Sequence, residues 1–438
     1  MTTWERVYTL LSDDDEESNL CSDLPPEACQ EAPRNFLLNA ANGAVTKLGD
    51  ELGSPSLVLP WLLEAIGAPT FLTGWLVPVR RALALLPQMV IAGQIREFEQ
   101  RKWFWAGGGA AFGLVFLLMI PAALWLSPLA AGITIVLLLA AGSVGRGVSS
   151  VAFKDVLAKT IAEGRRGRLL ATRSAVAGIL TLGAGMVLRL YVGEESDLTP
   201  YLLLLATAGG LWFVGAGLAA AVTEVPGVTG DARNAVEEAR AGWALLQRQP
   251  GFRRFILARI LLLSVPLSLP YFVLYFRQFT GAAVAGLSVL VVARGLAEVV
   301  SSPFWGRFSD RSSRGVMAAG GGLALVTGGV ALLLGRFAGG WYSSLVAAVL
   351  FFVLGVAGAG VRLGRKTYLV DAAPAAERPL YVALTNTLVG AITLASGFLG
   401  LIAEFWTVQA LLLTFLAFMA GGITLAWRMP EADGMAQE

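Results

Sequence analysis

Long apolar runs, each of about 20 residues or more, recur along this chain between short polar stretches. A run of that length crosses a bilayer as a helix. The pattern predicts twelve such helices. Six lie at 35–66, 68–95, 101–125, 127–151, 166–190 and 199–222, and six more at 252–276, 282–304, 315–336, 341–362, 379–402 and 407–427. The expected organisation is an acidic tail (1–33), a first six-helix bundle (34–222), a connection (223–250), a second six-helix bundle (251–428) and a short tail (429–438). Within the connection, Asp231 to Gln249 reads as an amphipathic helix. Ala235, Ala239, Trp243 and Leu246 recur at helical spacing, with Arg, Glu and Gln opposite them. Such a helix lies along a membrane face or against the bundle.

The polar interruptions repeat. The main one in the second half, Pro303 to Gly315 (P-F-W-G-R-F-S-D-R-S-S-R-G), has a counterpart 213 residues earlier at Gly93 to Lys102 (G-Q-I-R-E-F-E-Q-R-K). That shift sets Gly93, Glu97 and Arg101 on Gly306, Asp310 and Arg314. It also sets Arg81 on Arg294, Gly107 to Gly109 on Gly320 to Gly322, and the segment from Thr172 (T-R-S-A-V-A-G-I-L-T-L-G-A-G) on that from Thr385 (T-N-T-L-V-G-A-I-T-L-A-S-G-F). One shift joining separated segments identifies a duplicated half. The expected fold is all-α and integral to the membrane, with twelve transmembrane helices in two pseudo-symmetric six-helix bundles.

Composition narrows the function. The chain has 438 residues, 56% apolar and 15% charged, unlike an ordinary soluble protein. Its 51 glycines suit close helix packing in lipid. A net charge of +2 gives no reason to expect a nucleic-acid partner. There is no histidine, which removes most imidazole-dependent enzyme schemes, and no G-x-x-x-x-G-K-[ST] stretch to support direct ATP drive. Neither an enzymatic activity, a cofactor nor a metal is expected. Cys21 and Cys29 lack neighbouring ligands for a metal and read as plain, reduced tail residues. The acidic first 33 residues do not read as a secretory signal; they read as a solvated tail or as a regulatory segment touching the basic loops.

Basic residues fix the orientation. Alternate connections carry Arg96, Arg101 and Lys102; Lys154, Lys159, Arg165, Arg166 and Arg168; Arg233, Arg240, Arg248, Arg253 and Arg254; Arg307, Arg311 and Arg314; and Arg365, Lys366 and Arg378, with Arg428 last. The opposite connections offer only Arg189, Arg277 and Arg336. The expected location is the cytoplasmic (inner) membrane, multi-pass, with both termini and both repeated loops cytoplasmic.

Two six-span halves, a long middle connection and G-x-x-x-D-R-x-x-R between spans 8 and 9 resemble the major facilitator superfamily (MFS). Its signature after spans 2 and 8 is G-x-x-x-D-[RK]-x-G-[RK]-[RK]. The second loop keeps Gly306, Asp310, Arg311 and Arg314, with Ser313 for the second glycine and Gly315 for the last basic residue. The first keeps Gly93, an acid at Glu97, Arg101 and Lys102, while Phe98 and Gln100 depart. The resemblance covers all twelve spans, leaves out the acidic tail, and implies the MFS fold with a cytoplasmic latch at these loops. The residues themselves suit a latch. Gly306 permits close helix contact and Asp310 accepts at a neighbouring helix N-terminus. Arg311 and Arg314 have Asp371 as a partner, and Glu97 and Arg101 lie near Asp155. The plainer reading is that these residues cap helices and fix topology. Span 5 (Gly178, Gly183, Gly185) and span 11 (Gly390, Gly397, Gly400) carry glycines at packing spacing. Span 5 lacks the proline-containing glycine motif of some drug-exporting members.

Ionisable residues inside spans are costly and mark a pathway or a paired structural site. In span 1, Asn39, Thr46 and Asp50 fall within about 40° of one another on a helix, flanked by Asn42, Lys47 and Glu51. This polar face is expected to line a cavity. Span 2 adds Arg80 and Arg81, and span 4 adds Arg146. In span 8, Arg294 and Glu298 stand four apart on one face, and Glu298 has no acidic counterpart because Leu85 occupies its repeat position. Arg259 is expected to snorkel to the headgroups.

The expected activity is secondary active transport of a small solute by alternating access. Basic residues at mid-membrane (Lys47, Arg80, Arg81, Arg294) outnumber the acids, which favours an anionic or zwitterionic substrate. Protons are the expected coupling partner, through Asp50, Glu51 or Glu298, and the unit is expected to be a monomer in the bilayer. Two other readings stay open: an exporter of amphipathic drugs or metabolites, and a non-transporting receptor or partner protein on the same fold.

Overall fold

A computed structural model describes residues 25–86, 95, 97–191, 198–226, 246–280, 284–309, 311–337, 344–373 and 378–431. All regular structure among them is helical. In the first half these are α1 (Pro26–Leu52), α2 (Val58–Ala65), a 3-10 turn (Thr70–Leu72), α3 (Thr73–Leu85), α4 (Lys102–Trp125), α5 (Pro128–Thr160), α6 (Glu163–Tyr191) and α7 (Thr199–Ala220). The second half has α8 (Pro250–Leu261), α9 (Ser264–Thr280), α10 (Val284–Ser309), α11 (Ser313–Phe337), α12 (Ser344–Ala372) and α13 (Arg378–Ala395). A second 3-10 turn (Ser396–Leu399), α14 (Gly400–Phe405) and α15 (Val408–Trp427) complete it.

Nine helical stretches among the described residues are long and apolar enough to cross a membrane. Together they make the chain a multi-pass membrane protein. The first, second and fifth expected spans fall outside that set. The first carries Lys47, Asp50 and Glu51 and is broken after Leu52, where Pro55 lacks an amide donor and disfavours helix in the residue before it. Little of the second is described beyond Leu86, and the fifth has only a short apolar core, Ala175–Met186.

Boundaries match best where an apolar run ends in a turn signal, as at α4, α7 and α15. The tenth span does not stop near residue 362. Arginine and lysine are good helix formers, so α12 runs on through Arg362, Arg365 and Lys366 to Ala372. The proposed amphipathic helix at 231–249 lies almost wholly outside the described residues. Cys29 is disulfide-bonded, against the reduced thiol expected, while Cys21 lies outside the described residues. That expectation rested on compartment chemistry, which governs whether a bridge persists and not whether the backbone brings sulfurs together.

Helices of residues 25–226 pack mainly on one another (α4 on α5 and α7, α1 on α6 and α7), as do those of 246–431 (α12 on α10 and α11, α15 on α8, α9 and α11). Small residues set the separations. A Cβ at Gly108 would lie 2.4 Å from Gly145 O, and one at Gly320 in the second half would lie 2.8 Å from Ala357 O. The most extensive helix contacts between the halves are α6 with α10 and α3 with α13; α9 also touches α2 and α3. The halves also meet at the ends away from the repeated loops. There the backbones nearly touch, since a Cβ at Gly74 would lie 2.8 Å from Gly400 Cα. Arg277 pairs with Glu64 at 3.0 Å and stacks over Trp61, and Phe71 N donates to Glu404 at 3.1 Å.

Candidate functional site: an arginine-lined cavity between the halves

The break after α1 leaves Gly53, Ser54, Pro55 and Ser56 irregular, and a cavity of about 490 Å³ opens against it. Irregular backbone is tolerated at membrane depth where it lines a cavity. Asp50 and Glu51 come from the last turn of α1, Arg80 and Arg81 from α3, and Arg146 from α5. Arg294 comes from α10, and Arg362 and Arg365 from α12. Six arginines therefore line the space against two carboxylates. Phe112, Phe116, Leu85, Leu263 and Val389 supply its apolar wall. An adjoining pocket of about 210 Å³ adds Lys47 and Glu298, one charge of each sign, so the excess is unchanged.

The acids are committed. Asp50 is shared, with Arg80 at 3.1 Å and Arg146 at 2.7 Å, and these guanidiniums lie over the rings of Phe112 and Trp212. A second chain crosses between the halves: Glu51 to Arg294 at 3.8 Å, Arg294 to Glu298 at 3.5 Å, and Glu298 to Arg362 at 3.3 Å. The i,i+4 pair of Arg294 and Glu298 is the one read from spacing; Glu51 and Arg362 join it through the tertiary fold.

Arg259 is not at the headgroups. It is 7% exposed, donates to Asn386 at 3.4 Å and, with Arg81, Arg362 and Arg365, lines a small pocket of about 20 Å³. The helix α8 turns that side chain inward, so depth alone misled the snorkelling expectation. Among the described residues no carboxylate lies within ion-pair distance of Arg81, Arg259 or Arg365. The Nε atoms of Arg259, Arg294 and Arg365 are buried without a hydrogen-bond partner there.

The rest of the α1 polar face goes elsewhere. Asn39, Asn42 and Thr46 are buried and line none of these cavities. Asn42 donates to Gly215 O on α7 at 2.7 Å and accepts from Arg173 on α6 at 3.2 Å; Thr46 and Asn39 donate to their own helix. The face is half cavity and half helix contact, because α7 covers its lower turns.

At the repeated loops the pairing agrees only in part with that read in the sequence. Arg101 pairs with Asp155, while Glu97 is exposed. Glu224, four residues beyond α7, is buried and accepts from Arg101 N at 2.8 Å, Lys102 N at 2.7 Å and Lys159 Nζ at 2.9 Å. Lys102 Nζ donates to Val222 O at 3.0 Å. The second half repeats the device. Glu431, four residues beyond α15, accepts from Arg314 Nε at 2.7 Å and from Ser312, and Arg314 also donates to Met429 O. Arg314 thus takes Glu431 as its acid; Asp371, its expected partner, has no described side chain. Arg311 is exposed, and a Cβ at Gly306 would meet nothing within 4 Å, so no close helix contact forms there. Gly93 and Asp310 lie outside the described residues. Neither terminal acid was singled out, although each closely follows the last apolar run of its half. No group of three metal-ligating side chains occurs among the described residues.

No family model matches the chain. It is 28% identical over 369 residues to the uncharacterized protein Rv2209 of Mycobacterium tuberculosis, covering 82% of this chain and 69% of that protein. The uncharacterized protein Mb2232 of Mycobacterium bovis matches to the same extent. Among solved structures, a point mutant of the nucleoside transporter NupG superposes with a TM-score of 0.70 at 12% identity, over 90% of this chain and 99% of that one. A D-xylose–proton symporter gives 0.68 at 14% identity, over 91% and 98%. A POT family transporter in complex with 5-aminolevulinic acid gives 0.67 at 10% identity, over 90% and 95%. These solved proteins are transporters of the major facilitator type, and this chain has their fold.

Proposed function

We propose that this protein is a secondary transporter for a small anionic or zwitterionic solute, working by rocking of two six-helix bundles about the arginine-lined cavity. Twelve spans, both termini and the repeated loops on the cytoplasmic side, and residence in the cytoplasmic membrane belong to the same reading. The observation that carries it is the charge imbalance of the cavity: six arginines against two carboxylates at the junction of the halves. Charges buried at membrane depth are costly unless paired, so a surplus of one sign suits a partner that arrives and leaves.

The contacts at the ends away from the repeated loops suit a state closed to the outside. The proton path runs through the chain Glu51–Arg294–Glu298–Arg362, because Glu51 and Arg294 belong to different halves. A proton on Glu51 removes the attraction that ties the halves together at mid-depth. Asp50, held between two arginines of its own half, is a structural anchor in this scheme rather than the coupling group.

The test uses proteoliposomes loaded with a pH-sensitive dye and challenged with organic anions, zwitterions and lipophilic cations. The expected result is proton flux driven by an anion or zwitterion and lost in Glu51→Gln and Glu298→Gln, each with preserved fold. Flux driven only by lipophilic cations would overturn the anion reading in favour of an exporter of amphipathic compounds. Unchanged flux in both variants would overturn the coupling assignment.

A further inference from the structure

Resting on that reading, we propose that the solute carries a doubly charged oxyanion head, a phosphomonoester or phosphonate, gripped by Arg81 and Arg365 with Arg362 beside them. The argument begins with which cations lack an acid. Asp50 is held by Arg80 and Arg146, Glu51 by Arg294, and Glu298 by Arg294 and Arg362. Those pairings leave Arg81, Arg259 and Arg365 without a carboxylate among the described residues. Together with Arg362 these three line one small pocket, reaching it from three different helices, α3, α8 and α12.

The pocket adjoins the large cavity, since Arg81, Arg362, Arg365 and Leu263 line both. Arg362 and Arg365 stand three residues apart on α12, so their side chains share a helix face. Arg259 is tied to Asn386, and the buried Nε atoms of Arg259 and Arg365 are unsatisfied. Side chains from three helices, like-charged and with donors unspent, form a receptor for negative charge.

The chemistry of the donors selects the head. Each guanidinium presents a planar fork that matches a carboxylate or phosphate oxygen pair. A single carboxylate offers two oxygens and one charge, too few for two guanidiniums that each lack an acid. A phosphomonoester or phosphonate offers three oxygens and close to two charges near neutral pH. The remaining volume fixes the body. A space of about 490 Å³, continuing to Phe112, Phe116, Leu85 and Val389, exceeds what an inorganic ion fills and suits an uncharged, partly apolar organic group.

Binding to the full-length protein in lipid nanodiscs, measured by calorimetry at pH 7.5, tests the assignment with four probes. Phenyl phosphate is the dianion, methyl phenyl phosphate the monoanion with the same body, benzoate the monocarboxylate and phthalate the dicarboxylate. Phenyl phosphate is expected to bind at least tenfold more tightly than each of the others. Arg81→Gln and Arg365→Gln are each expected to lose at least tenfold of that affinity. Equal affinity for phenyl phosphate and methyl phenyl phosphate overturns the proposal, as does a folded Arg81→Gln or Arg365→Gln protein that keeps its affinity. Tighter binding of phthalate or benzoate overturns the phosphorus head while leaving the anion-transporter reading intact. No binding of any anion overturns both. Should either variant fail to fold, the comparison of probes on the unaltered protein still decides the matter.

Discussion

Removing the carboxylate of Glu224 should destabilise the protein far more than removing that of Glu431, although the two acids occupy corresponding places. Glu224 has a fully buried side chain that accepts from two backbone amides, of Arg101 and Lys102, and from the Lys159 ammonium. Glu224→Ala strands the two backbone amides and removes one of three acceptors of the Lys159 ammonium. Breaking a buried charge pair costs about 3–5 kcal/mol. The lower end applies here, about 3 kcal/mol, because Lys159 retains Asp155 at 3.1 Å and Glu99 O at 3.1 Å. The Glu431 side chain is 48% exposed, and ion pairs so open to water contribute below about 1 kcal/mol. Reversible unfolding in mixed micelles, followed by circular dichroism, compares Glu224→Ala, Glu431→Ala and Lys159→Met with the parent. A double-mutant cycle of Glu224 with Lys159 should return a coupling of about 1–2 kcal/mol. A loss under about 1 kcal/mol for Glu224→Ala, or equal losses for the two acids, would refute the argument that burial separates them.

Asp50→Asn should lower stability by about 3 kcal/mol, since it leaves Arg80 and Arg146 facing a neutral amide; a stable variant with altered proton flux would instead return Asp50 to the coupling role. Glu64→Gln should loosen the contact with Arg277 and favour the state open on that side. In a background with Cys21→Ser and Cys29→Ser, Thr393→Cys in the cavity should then react faster with an impermeant thiol reagent added outside, and an unchanged rate would show that the pair does not hold the halves shut. Gly74→Val should act in the same direction and more strongly. Its side chain would meet Gly400 Cα within 2.8 Å and Gly397 O within 2.9 Å, and slower labelling than in the parent would contradict the wedge.

Nine of the twelve expected spans have a long apolar helix among the described residues, because a span needs little beyond length and apolarity. The helical, multi-pass character and the Arg294–Glu298 pair followed from composition and spacing. What was not legible depended on the third dimension. Arg362 and Arg365 look like loop residues when charge is used to end a span, but a helix continues through arginine without cost. Arg259 and Asn42 show that the depth or face of a residue on its own helix does not say which neighbour covers it. Glu224 and Glu431 were missed for the opposite reason. Their signal, an acid soon after the last apolar run of each half, was present but lay outside both the spans and the repeated loops.

The surplus of positive charge in the cavity also makes the membrane voltage a participant. Charges in a cavity feel the electrical potential of whichever compartment the cavity opens to, and each elementary charge moved through 100 mV changes the energy by about 2.3 kcal/mol. On the proposed rocking cycle, six arginines against two carboxylates mean that the empty protein carries net positive charge between the two potentials as it reorients. An inside-negative voltage therefore draws the unloaded carrier towards the cytoplasm-facing state. A dianion on board cancels part of that pull, so the loaded and unloaded steps of the cycle respond to voltage by different amounts.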